Sequence, residues 1–563
     1  MKKKMLAVFI CLVMVAGLIP TVAFAAENEV DVWDGTSDTS WYNETDTEFH
    51  IKTAEQLAGL AELTNIGIDT GASTGNTFDN KIIYLDYDLD LGDYPWTPIT
   101  NRNVDDGYFF KGTFDGQGHT IYNLNRHGIG NDSFDSLFGY VQGGVIKNLN
   151  VVDADLSAND YSMHVGIIAA LVENGKIINC YTSGTVESVN GWRSIGGIAG
   201  SCMQGTQIVG CGSDANIISR KSESSDSVGG LVGEWLNANK TSVISDCWFN
   251  GSIVSEDLES TVGGLLAVGY NNNVEENVKI NNCMMVSSDL SSAEKEYTAV
   301  IAHLTGTPTV ADCFYKESDN GYHVITKLDK GSLAIDTSFD PTPCAKAITD
   351  FTDNDILVLL QNNASQGVVW VEGIEHPTFS WDLTNRLADY TAVDAAIARA
   401  TALDSSLYTN YSAVEDSINS VDRAKSKAQQ TEVDAMAKAI EDAITALQYK
   451  DADYTKVDAA IAKANALKKD DYKDFSGVET AVKAVVRGKN ITEQSEVDKM
   501  AKAIEDAIAA LEKKPASTKL GTSDKSPQTG DSSNLALCIA LLFISGGVAI
   551  GTTVVSRKKK YDR

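Results

Sequence analysis

The feature that most constrains this chain is a sequence pattern that repeats between about Leu137 and Phe314. A β-branched residue is followed by paired glycines at residues 195–200 (IGGIAG), 228–233 (VGGLVG) and 262–267 (VGGLLA), with a looser copy at 165–169. After each of these four copies the chain reaches a cysteine, at Cys180, Cys211, Cys247 and Cys283, and a fifth cysteine, Cys313, follows. The steps between these cysteines are 31, 36, 36 and 30 residues. Such a period, with strand-length apolar runs between turn-forming residues, is typical of a stacked solenoid.

Stacking is required because one coil of short strands cannot bury its apolar face alone. Equivalent positions in successive coils then lie about 4.8 Å apart. The five cysteines are therefore predicted to form an internal ladder of small buried side chains, with Leu149 filling the same position in an earlier coil. The paired glycines suit a corner where the chain bends or approaches its neighbour closely. We predict an all-β solenoid, a right-handed β-helix.

Three segments of the repeat region resemble GLUG repeats of bacterial surface proteins. They are residues 229–233 (GGLVG), 179–186 (NCYTSGTV) and, upstream, 110–121 (FKGTFDGQGHTI). The resemblance covers roughly residues 45–380. It implies a β-solenoid with an adhesin-like architecture, and it implies no defined ligand.

The repeat region is expected to be closed at both ends, because an open coil would expose unpaired strand edges. We assign residues 26–136 to an N-terminal cap and the first coils, 137–314 to the repeats and 315–385 to a C-terminal cap. In the N-terminal part, Thr53 to Gln56 is a capping box that opens a short helix. Residues 81–91 alternate between apolar and acidic, which predicts one half-buried strand.

Acidic and aromatic residues leave chemical alternatives open. Right-handed β-helices include polysaccharide-cleaving enzymes with clustered acids, but the aspartates at 86, 88 and 90 alternate as a solvated strand face does. Asp115 and His119 lie in a glycine-rich turn, where turn formation is the usual role, and a calcium site there lacks EF-hand spacing. Trp370, Phe379 and Trp381 are either an aromatic lid or a platform for sugar stacking. We predict no catalytic, cofactor or metal site.

At Leu387 the apolar period changes from 2 to 3.6, and a pattern of 64 residues occurs twice. Residues 386–450 and 451–514 each predict a three-helix bundle, with Thr431 and Ser495 expected to cap the third helices. Both copies resemble FIVAR modules of Gram-positive surface proteins and exported glycosidases, most clearly at Tyr390 and Tyr454 and in the alanine-rich third helix. The resemblance implies a stalk or an accessory binding module.

Both ends of the chain have the features of an exported and anchored protein. Residues 1–25 predict a signal peptide, with small residues placing cleavage between Ala25 and Ala26. Residues 515–530 form a polar linker, and residues 531–563 contain an apolar stretch, Leu535–Val555, that is long enough to cross a bilayer. A basic tail follows it, which is typical of the cytoplasmic side.

The linker ends in a pentapeptide that, with the apolar stretch and the basic tail, resembles a sortase sorting signal of LPxTG type. Its residues are Ser526, Pro527, Gln528, Thr529 and Gly530. The resemblance implies that a sortase thiolate cleaves between Thr529 and Gly530, and that an amine of the peptidoglycan precursor then resolves the thioester on Thr529. Ser526 departs from the usual leucine, which leaves open which sortase acts. The alternative is a protein that stays in the membrane with a single span.

Charge and cysteine count exclude some functions. The formal net charge is −31; without residues 1–25 and 530–563 there remain 38 basic and 75 acidic residues. Such a surface repels phosphate backbones and argues against nucleic-acid binding. Seven of the nine cysteines lie outside the two apolar terminal segments, an odd number that makes a poor disulfide framework, although Cys202 and Cys211 could pair locally.

Together these features predict an extracellular protein attached covalently to the cell wall of a Gram-positive bacterium. Its expected partners are a sortase, the peptidoglycan precursor and an extracellular glycan or protein ligand, with membrane contact only through Leu535–Val555 before sorting. We predict an adhesin that binds glycan, mucin or another surface ligand through the solenoid. The alternatives are an exported carbohydrate-active β-helix enzyme and a passive surface component.

Overall fold

A computed structural model describes most of the chain between residues 32 and 515. The described ranges are 32–66, 75–101, 109–127, 134–158, 163–189, 193–220, 225–239, 241–270, 278–293, 295–305, 309–329, 335–336 and 338–515. They fall into two compact units: the first contains residues up to Asp404 together with Asn410–Leu447, and the second contains Ser405–Thr409 together with the chain from Gln448 onward.

The first unit contains a β-solenoid of about 8 turns, followed by helices, as the sequence predicts. In the described residues, sheet 1 has nine strands, all paired in parallel. They are β1 Glu48–Ile51, β2 Ile82–Leu85, β4 Thr113–Asp115, β9 Val145–Lys147, β13 Lys176–Ile178, β17 Gln207–Val209, β21 Val243–Ser245, β26 Lys279–Asn281 and β30 Thr309–Ala311.

Sheet 2 has twelve strands in the part of the chain that is described. They are β3 Leu89–Asp90, β5 Thr120–Tyr122, β6 Asn125–His127, β10 Asn150–Ala158, β14 Tyr181–Ser188, β18 Gly212–Ser219, β22 Trp248–Phe249, β23 Ser252–Ser255, β27 Met284–Met285, β28 Leu290–Ser292, β31 Cys313–Lys316 and β33 Ala345–Ile348. The stretch 81–91 contributes to two sheets: β2 belongs to sheet 1 and β3 to sheet 2. The predicted single strand is therefore interrupted by a corner at residues 86–88.

Sheet 3 also has twelve strands among the described residues. They are β7 Phe134–Asp135, β8 Phe138–Gln142, β11 His164–Gly166, β12 Ala169–Glu173, β15 Ser194–Gly196, β16 Ala199–Cys202, β19 Ser227–Gly229, β20 Val232–Leu236, β24 Thr261–Gly263, β25 Leu266–Tyr270, β29 Thr298–Thr305 and β32 His323–Leu328. The recurring glycine pairs lie at the bend between two strands of one coil, for example between β15 and β16.

The glycines at these bends are required by close approach of the backbone. A Cβ atom added at Gly229 would lie 1.8 Å from the carbonyl oxygen of Val232, and one at Gly263 would lie 1.9 Å from that of Leu266. Neither backbone oxygen can move without disturbing the parallel pairing of its own strand. The tight bend therefore depends on the absence of a side chain, which explains why glycine recurs at this bend in successive coils.

The helices of the described chain lie at both ends of the solenoid sequence and beyond it. Their bounds are α1 Ala54–Asn65, α2 Asn354–Asn363, α3 Thr391–Thr401, α4 Ser412–Asn419, α5 Gln430–Thr445, α6 Thr455–Ala466, α7 Ser476–Lys483 and α8 Gln494–Ala509. Helix α1 begins after Thr53, whose side chain accepts a hydrogen bond from the backbone of Gln56. None of these helices is long and apolar enough to cross a membrane, and the predicted span Leu535–Val555 lies outside the described residues.

Residues 345–385, here called the tail, close one flank of the solenoid. Strand β33 extends sheet 2 by pairing with β31, and α2 and the antiparallel pair β34 Trp370–Val371 and β35 Thr378–Phe379 follow. Side chains of the tail pack against residues that sheet 2 presents on its outer face: Tyr181, Trp248, Met284 and Phe314. The tail thus covers apolar surface along the side of several coils.

Each 64-residue copy contains three helices around a small apolar core. In the first copy the core includes Val393, Val414 and Ile440; in the second it includes Val457, Val478 and Ile504, the same positions displaced by 64 residues. The prediction that Thr431 and Ser495 cap the third helices was wrong. The capping boxes begin five residues earlier, at Ser426 and Asn490, because a short 3-10 turn precedes each third helix.

Candidate functional site

The five repeat cysteines form a column inside the solenoid. The residue after each cysteine donates its backbone N–H to the carbonyl of the cysteine one coil earlier, as from Gly212 to Cys180 at 3.0 Å and from Met284 to Cys247 at 2.8 Å. Tyr181 donates in the same way to Leu149, at 3.0 Å. All five thiols are buried and free. This column is a packing element, with each sulfur shielded from solvent.

Burial also determines the chemistry of three of these thiols. The apolar surroundings raise the pKa of Cys180, Cys247 and Cys313 well above the usual range. A thiol that stays protonated is a poor nucleophile and a poor metal ligand. Cys202 and Cys211 are likewise buried and free, and they do not form the local disulfide that the sequence left open.

The aspartates at 86, 88 and 90 each have a separate polar partner. Asp86 accepts from Nδ1 of His50 at 2.8 Å, and Asp88 lies 3.0 Å from Nδ1 of His119. Asp90 accepts from the side-chain amide of Asn123 at 2.7 Å. The three carboxylates hold neighbouring coils at a corner of the solenoid, and this arrangement differs from a pair of acids directed at one substrate bond.

Asp115 stabilises the glycine-rich turn that follows it. Its Oδ1 accepts from the backbone N–H of Gln117 at 3.0 Å and from the side chain of Asn148 at 2.9 Å, while Lys147 lies 2.9 Å from Oδ2. Burial acts to raise the pKa of Asp115, but the hydrogen bonds from Asn148 and Lys147 outweigh it and lower the pKa overall. Among the residues that the structure describes, no group of three or more His, Cys, Asp or Glu side chains could hold a metal ion.

The three aromatic residues of the tail contribute to its packing. Trp370 and Phe379 are 1% and 0% exposed, which leaves them no surface for a sugar ring. Trp381 stacks on Phe379 with ring centroids 5.2 Å apart. The indole N–H of Trp370 donates to Asp246 at 3.1 Å, and the backbone of Ser365 donates to the same carboxylate at 3.2 Å. Asp246 therefore anchors the tail to the solenoid.

A partly buried polar cluster, which sequence reasoning missed, lies where the tail meets sheet 2. The hydroxyl of Tyr181 donates to Asp214 at 2.7 Å, and Asn250 donates to the other carboxylate oxygen at 3.1 Å. The ring of His376 packs edge-on against Trp248, with centroids 4.6 Å apart. Burial raises the pKa of Asp214 and lowers that of His376. No sequence pattern could join these residues, because Asp214 and His376 are far apart in the chain.

The predicted signal peptide, its cleavage site at Ala25 and Ala26, and the sorting motif Ser526–Gly530 lie outside the described residues.

Comparison with known proteins gives two findings and one negative result. No protein-family model matches the chain. The sequence is 30% identical to halomucin of Haloquadratum walsbyi over 178 residues, which is 30% of this chain and 2% of halomucin, so the chain corresponds to a very small part of that protein. The structure is similar to that of a Bacteroides ovatus protein provisionally assigned as an immunoglobulin A1 protease. The TM-score is 0.37 and the identity 20%, covering 60% of this chain and 93% of the other; a score this low supports no argument about function.

Proposed function

We propose that this chain is an extracellular surface protein of a Gram-positive bacterium, and that it acts as an adhesin through its β-solenoid. The solenoid architecture and the partial similarity to halomucin support a surface role. The predicted signal peptide and sorting motif support covalent attachment to the cell wall by a sortase. The right-handed winding of the coils belongs to the same proposal and agrees with the handedness of parallel β connections in general.

The observation that favours binding over catalysis is the arrangement of the corner aspartates. Asp86, Asp88 and Asp115 each form hydrogen bonds within the turn or with the adjacent coil. Glycoside hydrolysis requires two carboxyl groups on opposite sides of one bond, about 5–10 Å apart, with one poised as an acid. These aspartates instead stabilise the corner. A long stacked surface of this kind suits recognition of an extended ligand.

An array of glycans and matrix proteins tests the adhesin proposal. We expect a chain of residues 26–385 to bind the same array members as residues 26–514, and residues 386–514 alone to bind none of them. Specific binding by residues 386–514 alone would move recognition to the helical modules. Absence of binding by every form would favour a passive surface component.

Cell fractionation tests the attachment. In the proposed mechanism a sortase thiolate attacks the carbonyl carbon of Thr529, and the peptide bond to Gly530 breaks. We expect Thr529→Ala to move the protein from the wall fraction to the membrane fraction, and Lys525→Ala, next to the motif, to leave it in the wall. An unchanged distribution of Thr529→Ala would contradict sortase processing.

A further inference from the structure

The tail of the solenoid joins the first helical module through a short ladder of backbone hydrogen bonds. Ile374 donates to the carbonyl of Asn385 at 2.9 Å, and Lys427 donates to the carbonyl of Arg386 at 2.7 Å. Ala388 donates in turn to Lys425 at 3.0 Å. These bonds place the tail and the loop that carries Arg423 beside each other within the first compact unit.

A pocket of about 170 Å³, here called the junction pocket, lies at this place. Its polar lining includes Asp353, Glu372, His376 and Arg423, and its apolar lining includes Leu357 and Ile374. The volume is smaller than the roughly 300–1,000 Å³ of pockets for drug-sized ligands, so it accepts one small ring.

His376 lines the junction pocket, and one hydrogen bond of its ring is defined among the described residues. The side chain is 3% exposed, and its Nδ1 lies 2.9 Å from the carbonyl oxygen of Pro377. Because that oxygen can only accept, Nδ1 carries the proton of the neutral ring and Nε2 has a free lone pair. In the described part of the chain, Nε2 has no hydrogen-bond donor. Burial lowers the pKa of His376, which favours the neutral ring.

The charges of the junction pocket restrict the class of ligand. Asp353 uses one carboxylate oxygen to cap helix α2, at 2.9 Å from the N–H of Asp355, and its other oxygen is available to accept. Glu372 is exposed at the rim. Two carboxylates disfavour an anionic ligand. The guanidinium of Arg423 is paired with Asp394 at 2.6 Å, so it adds N–H donors to the pocket but little net charge. The pocket therefore offers three hydrogen-bond acceptors, a guanidinium that can donate several hydrogen bonds, and an apolar wall. This combination matches a neutral ring that carries several hydroxyl groups.

We propose that the junction pocket binds a neutral sugar ring, with its hydroxyl groups donating to His376, Asp353 and Glu372 and accepting from Arg423. This inference deepens the adhesin proposal and rests on it for its biological role. It also places part of the recognition outside the coils, because Arg423 belongs to the first helical module.

The chain offers a matched control for Arg423. In the first module the Arg423 guanidinium lies 5.1 Å from the ring centre of Tyr390 and 2.6 Å from Asp394. Arg487 repeats both contacts with Tyr454 and Asp458 in the second module, and it is not among the residues that line the junction pocket. Loss of Arg487 therefore measures the effect of breaking the same contacts without changing the pocket.

Saturation-transfer NMR on the full chain tests the proposal, with the methyl glycosides of glucose, galactose, mannose and N-acetylglucosamine as probes and N-acetylneuraminic acid as the anionic comparison. We expect at least one neutral glycoside to bind, with affinity at least tenfold lower in Glu372→Ala and in Arg423→Ala and unchanged in Arg487→Ala.

The proposal would be overturned if none of the four neutral glycosides received saturation transfer from the protein. So would equal binding by wild type, Glu372→Ala and Arg423→Ala, or stronger binding of N-acetylneuraminic acid than of any neutral glycoside. This test and the array test can fail independently. Residues 26–385 lack Arg423, so they can bind a ligand on the array even if the junction pocket binds no sugar. The junction pocket can likewise bind a sugar even if residues 26–385 bind nothing on the array.

Discussion

The solenoid and the helical modules are stabilised over very different distances along the chain. In the solenoid, each strand pairs with a strand of the next coil about 30 residues away, as β13 does with β17, so no coil is complete by itself. In the modules, three helices close around a core drawn from one 64-residue copy. A defect in the solenoid is therefore expected to spread to neighbouring coils, whereas a defect in a module stays local.

The two regions also use their small residues differently. Glycines at the bends of the solenoid fill positions where a Cβ would overlap backbone, as at Gly229 and Gly263. Alanines in the modules, such as Ala396 and Ala460, are buried in the core that the three helices of one copy form. Repetition in the solenoid therefore reflects a steric requirement at each bend. Repetition in the modules reflects two copies of a unit whose core is drawn from local contacts.

The largest effect is expected when a side chain is added at a bend of the solenoid, where the fold requires glycine. Gly229→Ala places a Cβ 1.8 Å from the carbonyl oxygen of Val232, and we expect a loss of about 4 kcal/mol or more in the unfolding free energy of the solenoid. Urea unfolding followed by far-UV circular dichroism, which separates strand from helix signals, measures it. The helical transition should keep its midpoint. A solenoid transition shifted by less than about 1 kcal/mol would contradict the close contact.

The second-largest effect is expected in acid, where the solenoid should lose stability and the helical modules should not lose it through a histidine. Burial lowers the pKa of His303 to about 4, and the side chain is 0% exposed. The unfolded chain protonates near pH 6.5, so the stability that the neutral histidine contributes is complete above that pH. It is lost as the pH falls towards 4, by about 3 kcal/mol.

The check is the pH dependence of the urea midpoint of the solenoid, compared between wild type and His303→Gln. The variant should have a flatter profile between pH 6.5 and 4. Its helical modules, in which the described residues include no histidine, provide an internal reference. Parallel profiles for the two proteins would rule out this histidine as the source.

A smaller effect should be similar in both modules. The hydroxyl of Tyr390 donates to the carbonyl of Asp422 at 2.7 Å, and that of Tyr454 donates to the carbonyl of Val486 at 2.9 Å. Each hydroxyl also accepts from a backbone N–H at 3.1 Å, that of Lys425 in the first module and that of Lys489 in the second. Replacing either tyrosine by phenylalanine therefore removes two hydrogen bonds between the first helix and the turn before the third, which costs about 2 kcal/mol. Thermal melts of the single variants should show nearly equal shifts. A shift in only one module would show that the duplicated contacts differ in strength.

The smallest expected effect has the opposite sign. A Cβ added at Gly477 meets nothing within 4 Å, and this residue lies in the first turn of α7. Gly477→Ala should stabilise the second module by about 0.5 kcal/mol because alanine loses less backbone entropy on folding. A chemical-denaturation midpoint gives the value, with Gly229→Ala as the contrast. Destabilisation at Gly477 would indicate a contact that the fold does not show.

Several features were predictable because they depend on local or periodic patterns. The period of about 30–36 residues predicted the stacked coils, and the burial of the repeat cysteines agrees with that packing. The shift to a helical period at Leu387 predicted the helices. The start of helix α1 at Ala54 was predictable because the capping interaction between Thr53 and Gln56 spans only three residues.

Features that depend on where the chain turns were less predictable. The alternation at 81–91 is compatible with one strand, yet the corner at 86–88 divides it between two sheets. The third helices begin at Gln430 and Gln494, since the capping boxes belong to 3-10 turns that no periodic signal marks.

The sequence by itself determined that coils would stack and that helices would follow, because both depend on spacing between apolar residues and turn residues along the chain. Only the tertiary structure brought the tail onto the flank of sheet 2 and brought His376 and Arg423 to one pocket. The physical reason is that these residues meet through side chains presented by different elements, and their separation in the chain has no periodicity to reveal it.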